Sequence, residues 1–197
     1  TWEQSSKSYT GNTGVWSAIT VDEELGYIYL SVEAPTNDYY GGHRLGDNLY
    51  ANSVVCLNYK TGEKVWHFQI VHHDIWDYDN PAAPILADVT IDGQPRKIVV
   101  QNTKQGYSYV FDRTNGQPIW DMPETDVPQT DVPGERSSPT QPIPSKPAPW
   151  EQQGISENDL VDFTPAIRRE AINVMKSHRY GPLFTPPSLD NATDGTI

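Results

Sequence analysis

Between Val71 and Pro84 the chain reads VHHDIWDYDNPAAP, placing two histidines, three aspartates (Asp74, Asp77, Asp79), a tryptophan and a tyrosine within fourteen positions. Buried carboxylates need partners to offset their desolvation, so this stretch is poor material for a packed strand and good material for the floor of a site. Its carboxylates could take a proton from a substrate hydroxyl or could cap turns, and Asp77 is open to both readings. His72-His73-Asp74 invites a zinc site and, with it, a metal-dependent hydrolase. Adjacent histidines on extended chain point to opposite sides, however, and no spaced third nitrogen or sulfur ligand follows. Structural hydrogen bonding is the better reading of the pair. His43-Arg44, in GGHRLGDN, fits either an anion contact or a loop-pinning salt bridge with Asp47.

The elements that must hold this stretch come in two similar sets. Tyr27–Val32 alternates as a half-buried strand, Ser53–Leu57 and Lys64–Val71 follow as strands, and Trp16 opens a strand-like lead-in. After the aspartate-rich loop come strands at Ala83–Ile91, Lys97–Gln101, Tyr107–Phe111 and Pro118–Trp120, with a hairpin turn at Asp92-Gly93. The closing hairpins NYKTGEKVW (58–66) and DRTNGQPIW (112–120) match in spacing across nine positions, and Trp66 and Trp120 stand 54 residues apart. A period near fifty, short strands and a turn-plus-tryptophan signature predict blades of a β-propeller, with both tryptophans packed between blades. The fold class is all-β. Three regions result: two blades over 1–121, a proline-rich excursion and helical insertion over 122–183, and the start of a next blade over 184–197. Met122–Trp150 carries frequent prolines and predicts extended surface chain. Ser156-x-x-Asp159 has the form of a capping box, and Thr164-Pro165 opens a helix that Gly181-Pro182 ends. Two blades cannot close a ring, which implies a piece of a larger protein.

Composition narrows the classes. The formal net charge is −12 and no basic patch is present, which argues against a nucleic-acid partner. Apolar runs are short, so no segment spans a membrane as a helix. The one cysteine, Cys56, lies in an apolar run (VVCL) and reads as a small buried hydrophobe. There is no CxxCH motif for covalent haem.

Taken together, VWHFQIVHHDIWDYDNPAAPILAD, GGHRLGDN, the GxxxW turns and GPLFTPPS resemble the quinoprotein alcohol and sugar dehydrogenases, with the membrane-type glucose dehydrogenase branch the nearest likeness. The resemblance runs along nearly the whole chain. It implies an eight-bladed propeller with pyrroloquinoline quinone (PQQ) at its axis, of which this chain supplies about two blades. Asp77 then matches the family's proposed catalytic base. Lys104, in QNTKQG, matches the cation that hydrogen-bonds the quinone oxygens, and Trp16 matches the indole stacked on the cofactor. Thr36, in APTND, matches a threonine suggested as a metal ligand, with Glu33 and Asp38 as nearby oxygen donors for Ca2+ or Mg2+. The same resemblance implies a sugar or alcohol substrate, a ubiquinone or cytochrome electron acceptor, and the bacterial periplasm, with anchoring to the inner membrane through a region absent here. The rival reading is a non-catalytic propeller that binds other proteins. Joint retention of Trp16, Asp77 and Lys104 is what a scaffold has no reason to show.

Overall fold

The computed structural model describes residues 1–189 and 194–197. Strands β1 (Thr20–Asp22), β2 (Tyr27–Ser31), β3 (Ser53–Asn58) and β4 (Lys64–Gln69) form a four-stranded antiparallel meander in sequential order. β5 (Ile85–Ile91), β6 (Gln94–Asn102) and β7 (Ser108–Asp112) form the second sheet. The expected fourth strand at Pro118–Trp120 is reduced to one bridge, Phe111 to Pro118, because proline has no N–H for a ladder. Asp92 and Gly93, at φ +51° and +74°, make the two-residue turn between β5 and β6. β6 begins three residues before its expected start at that turn, β5 ends at Ile91 as expected but starts two residues late, and the lead-in around Trp16 is irregular until Thr20.

The repeat is visible in its hydrogen bonds. In the first turn Gly62 N–H donates to the Asn58 carbonyl and Asn58 N–H to the Glu63 carbonyl; in the second, Gly116 does so to Asp112 and Asp112 to Gln117. Asn58 and Asp112 each also accept backbone N–H bonds on Oδ1. The two glycines differ in surroundings. Gly62 faces open space, whereas a Cβ at Gly116 would lie 2.5 Å from the Trp66 ring.

The core fills the space between the two sheets. Tyr29, Val54, Cys56 and Trp66 of the first meet Val99, Tyr109 and Phe111 of the second. Trp66 packs against Phe111 with ring centres 5.9 Å apart, which bears out its blade-to-blade role; Trp120 is only half-buried. Ser53 to Cys56 of β3 are buried without alternation, as expected of a strand covered on both faces. Burial pushes the Cys56 thiol up to about 12, so it is an inert core group. At the seam Arg113 forms an ion pair with Asp22 at 2.7 Å and donates to Asp88 Oδ1 at 2.7 Å, while its carbonyl accepts from the Tyr29 hydroxyl. Ser31 Oγ reaches Gln101 Oε1 at 2.7 Å.

The proline-rich stretch departs from expectation. It folds back as a two-stranded sheet, β8 (Glu124–Asp126) with β9 (Thr140–Pro142), and its Gln141 is fully buried. The extended-chain reading missed this because Gln141 pairs with the aspartate-rich loop, which lies far away in sequence. Past it, the capping box is present: Ser156 N–H donates to Asp159 Oδ2 at 2.7 Å, and Ser156 Oγ accepts from Asn158 N–H. Helix α1 (Pro165–Ser177) starts with Thr164 Oγ1 accepting from Ile167 N–H and ends before Gly181, with His178 as C-cap. Met175 is its buried contact, whereas Ile167 and Val174 face solvent. The expected blade start at 184–197 lies partly outside the described residues; those described there form no strand, and Thr196 bridges Arg179.

Candidate active site

Asp74 organises the loop between β4 and β5. It is buried, and its carboxylate accepts from Trp76 N–H (2.8 Å), Tyr78 N–H (2.8 Å) and Asn52 Nδ2 (2.7 Å). A carboxylate that gathers neighbouring backbone N–H groups bends the chain into a tight turn. Burial pushes its pKa up to about 6, against the pull of these donors and of the Arg44 guanidinium.

The turn divides the side chains between two sides. Trp76 and Tyr78 stack on each other with ring centres 5.9 Å apart, and Phe184 meets both edge-on. The indole N–H of Trp76 donates to the Thr185 carbonyl and the Tyr78 hydroxyl to that of Leu183, each at 2.9 Å. Both rings line a cleft of about 490 Å³ to which Asp77 and Lys104 do not contribute.

Asp77 and Asp79 instead meet Lys104, which the turn between β6 and β7 presents. Lys104 Nζ donates to the Asp77 carbonyl at 2.8 Å, to Asp77 Oδ2 at 3.2 Å and to Asp79 Oδ2 at 3.0 Å. The backbone of Asp77 is left-handed, at φ +60°, a conformation aspartate tolerates better than most residues. Asp77 and Lys104 are about one-third exposed, at 34% and 35%. Burial raises the Asp77 pKa, the Lys104 hydrogen bond lowers it, and the charges of Asp79 and then Asp38 raise it; the balance lies above the usual carboxylate value. For Lys104 burial acts downward, but the bonds and charges of Asp79 and then Asp77 outweigh it and hold the ammonium above its ordinary value. The result is a partly open carboxylate with raised proton affinity beside a fixed cation.

The other candidates differ in how they relate to this pair. Glu33 Oε1 accepts from Gly14 N–H at 2.9 Å, and Thr36 N–H donates to the Gly11 carbonyl at 2.8 Å. Between them, Ala34 N–H donates to Asp79 Oδ1 at 2.7 Å, tying this segment to the Lys104 cluster. Asp38 is close enough for its charge to act on both Asp77 and Arg44. Among the described residues, no three histidine, cysteine or acidic side chains are grouped as a metal cage. Trp16 is 56% exposed, and its indole makes no hydrogen bond or ring contact with Asp77 or Lys104 among the described residues.

The histidines serve the scaffold. His72 Nε2 lies 3.0 Å from Glu124 and His73 Nε2 lies 2.6 Å from Glu135, so the pair points two ways, each toward a glutamate of the proline-rich stretch. Gln141 adds two bonds to the His72 backbone, accepting from its N–H and donating to its carbonyl, both at 2.8 Å. Arg44 does not form the expected salt bridge with Asp47. It is fully buried and donates to Asn48 Oδ1 and to the carbonyls of Asn37 and Asp74 rather than to Asp47.

Sequence reasoning grouped Asp74 and Asp79 with the loop's carboxylates without singling either out, and gave Gln141 and Glu135 no role. For Asp79 the signal was its nearness in sequence to Asp77; the left-handed turn at Asp77, rather than strand alternation, brings both carboxylates to Lys104. For Glu135 and Gln141 nothing local marks them, since their partners lie more than sixty positions away.

The chain as a whole is similar to known proteins. The model of the glucose/ethanol/alcohol dehydrogenase PQQ β-propeller domain matches residues 1–197. The quinoprotein glucose dehydrogenase of Escherichia coli is 40% identical over 110 residues, 55% of this chain and 14% of that protein. The quinate/shikimate dehydrogenase (quinone) of Acinetobacter baylyi is 34% identical over 181 residues, 91% of this chain and 22% of that protein. The crystal structure of quinohemoprotein alcohol dehydrogenase from Comamonas testosteroni superposes with a TM-score of 0.58 at 34% identity, covering 73% of this chain and 22% of that one. The chain thus spans less than a quarter of the length of these relatives. Two antiparallel propeller sheets, the repeated turns and a family match along every residue lead to one assignment: the chain belongs to the PQQ-dependent dehydrogenase β-propeller family.

Proposed function

We propose that this chain is the part of a PQQ-dependent dehydrogenase that supplies the general base and the cofactor-facing cation for oxidising an alcohol group of a sugar or other polyol. The observation that carries the reading is the Asp77–Lys104 pair, a third exposed and fixed by long-range contacts. The donor set fits the cofactor's chemistry: an ammonium for anionic oxygens, a carboxylate beside it, and in Trp16 a half-exposed indole suited to a planar ring. When bound, PQQ supplies the two-electron acceptor for hydride leaving the alcohol carbon.

Asp77 accepts the hydroxyl proton; its raised affinity brings it nearer to working pH than an ordinary carboxylate. Lys104 holds a positive charge where negative charge grows, and its position is set before substrate arrives. The bond from Lys104 to Asp77 Oδ2 is the longest of its three, and hence the one most readily given up when Asp77 turns to a substrate. Glu33, Thr36 and Asp38 are oxygen donors of the class that calcium or magnesium takes, and we assign them to a divalent ion beside the cofactor. The electron acceptor, ubiquinone or a cytochrome, and a periplasmic setting with membrane anchoring belong to the same reading, as do the further blades that would close the ring.

The test uses the full-length enzyme of which this chain would be part. With PQQ and Ca2+ it reduces a redox dye in the presence of glucose or a related polyol. The absence both of turnover with any alcohol and of a bound-cofactor absorption band overturns the proposal.

A further inference from the structure

The Lys104 ammonium has three N–H donors, and the structure provides three acceptors for them. Two belong to Asp77, the group proposed as base. The third is Asp79, which differs from Asp77 in two respects. Its side chain is the more enclosed, 17% exposed against 34%. Its other oxygen is anchored, since Oδ1 accepts from the backbone N–H of Ala34 at 2.7 Å. Asp79 therefore links a strand-end segment of the first sheet (Glu33, Ala34) to a turn of the second (Lys104). Asp77 Oδ2 has no such tether among the described residues.

From this difference we infer that Asp79 is the positioning residue for Lys104: it holds the ammonium in place from the buried side, so that Asp77 can leave the ion pair without the cation moving. The inference deepens the function proposed above and rests on it for its consequence in turnover, but the contact itself is a property of the cofactor-free protein. With Asp77 alone as partner, base and cation would be tied to each other, and a base engaged with substrate would release the lysine to solvent. A second carboxylate, fixed to backbone, separates the two tasks. Removing Asp79 leaves Lys104 a four-carbon stem with rotational freedom and one side-chain partner that is itself required elsewhere.

The molecule contains its own control. Lys97 is 37% exposed against 35% for Lys104 and is likewise shared by two carboxylates, Glu24 at 2.7 Å and Asp88 at 3.5 Å, at a separate place on the second sheet. Limited acetylation of the cofactor-free full-length protein, with each lysine read by peptide mass spectrometry, reports on Lys104 relative to Lys97. In Asp79→Ala the ratio of Lys104 to Lys97 labelling rises about tenfold, the scale of losing one charge-assisted hydrogen bond. In the near-isosteric Asp79→Asn, which keeps an oxygen for Ala34 N–H, it rises less, about threefold on the same reasoning. An unchanged ratio in Asp79→Ala, or in Asp79→Asn should Asp79→Ala fail to fold, overturns the inference. In the PQQ-loaded enzyme, Asp79→Asn lowers kcat about tenfold and leaves the KM for alcohol within about twofold. Increased labelling with kcat unchanged in an active enzyme also overturns it, because Asp79 would then hold the lysine without consequence. If wild-type protein shows no turnover with PQQ, the functional reading fails while the labelling ratio still decides the contact.

Discussion

Replacing Asp77 by asparagine separates the base from the architecture around it. The substitution preserves shape and an oxygen near Lys104, and it removes the ability to take a proton. Lys104 keeps the Asp77 carbonyl at 2.8 Å and Asp79 at 3.0 Å, losing only the charge at the end of its longest contact, 3.2 Å. That contact lies between groups one-third exposed, where solvent screening limits an ion pair to roughly 1 kcal/mol or less, so cofactor affinity changes by no more than about fivefold. Loss of a positioned general base costs about 10²- to 10⁴-fold in rate, or roughly 3–5 kcal/mol of transition-state stabilisation. The two effects differ by more than tenfold and so can be distinguished. The assay is dye-linked alcohol oxidation by the full-length enzyme, with bound PQQ followed by its absorption. The pH profile gives a second reading. Burial and the neighbouring Asp79 charge, opposed by the Lys104 bond, leave the Asp77 pKa above its ordinary value, so wild-type turnover falls as pH drops through that raised value. The variant's residual rate lacks this limb. A kcat within threefold of wild type, with the acid limb intact, refutes the assignment of Asp77 as base.

Three further outcomes follow from the scaffold. Asp74→Ala leaves Trp76 N–H, Tyr78 N–H and Asn52 Nδ2 without their carboxylate, at about 1–3 kcal/mol for each donor left unsatisfied; thermal unfolding of the full-length protein should show a fall in Tm, and an unchanged Tm contradicts the organising role. Gly41→Ala places a Cβ 2.6 Å from His73 Nε2 and must displace the His73–Glu135 pair; protease cutting within the proline-rich stretch should accelerate at least several-fold, and an unaltered cleavage pattern refutes the clamp. Glu135 is pushed up by burial but pulled further down by His73 and by the backbone N–H groups of Gly41 and Arg136, so its folded pKa is depressed. The stability it contributes is present above the ordinary carboxylate pKa of 4.5 and is lost as pH falls through the depressed value; Glu135→Gln should flatten that acid-side loss, and identical acid unfolding curves contradict it.

What the sequence disclosed and what it concealed divide along physical lines. The repeated turns were legible because Asn58-Lys60-Thr61-Gly62 and Asp112-Thr114-Asn115-Gly116 are bonded locally, within four residues. Strand β2 was legible by alternation, and β3 and β4 as short apolar-rich runs bounded by turn signals. The second sheet's missing fourth strand came from Pro118, whose ring does not favour a ladder and whose consequence the repeat pattern masked. The proline-rich excursion was misread for a different reason. Its order comes from Gln141, Glu124 and Glu135 reaching His72 and His73, and no local periodicity encodes contacts that span more than fifty residues. In the candidate site the resemblance to quinoproteins identified Asp77 and Lys104, which the fold brings together. Asp79 was passed over because a second aspartate in a loop ordinarily reads as turn chemistry.

The account stands on Asp77 and Lys104 facing bound cofactor. A crystal structure of the full-length protein loaded with PQQ tests this most directly. The prediction is Lys104 Nζ within hydrogen-bond distance of an ortho-quinone oxygen, with Asp77 on the same side of the ring and Trp16 against its face. Cofactor density away from these three side chains, or Lys104 still bonded only to Asp77 and Asp79 with PQQ bound elsewhere, would contradict it.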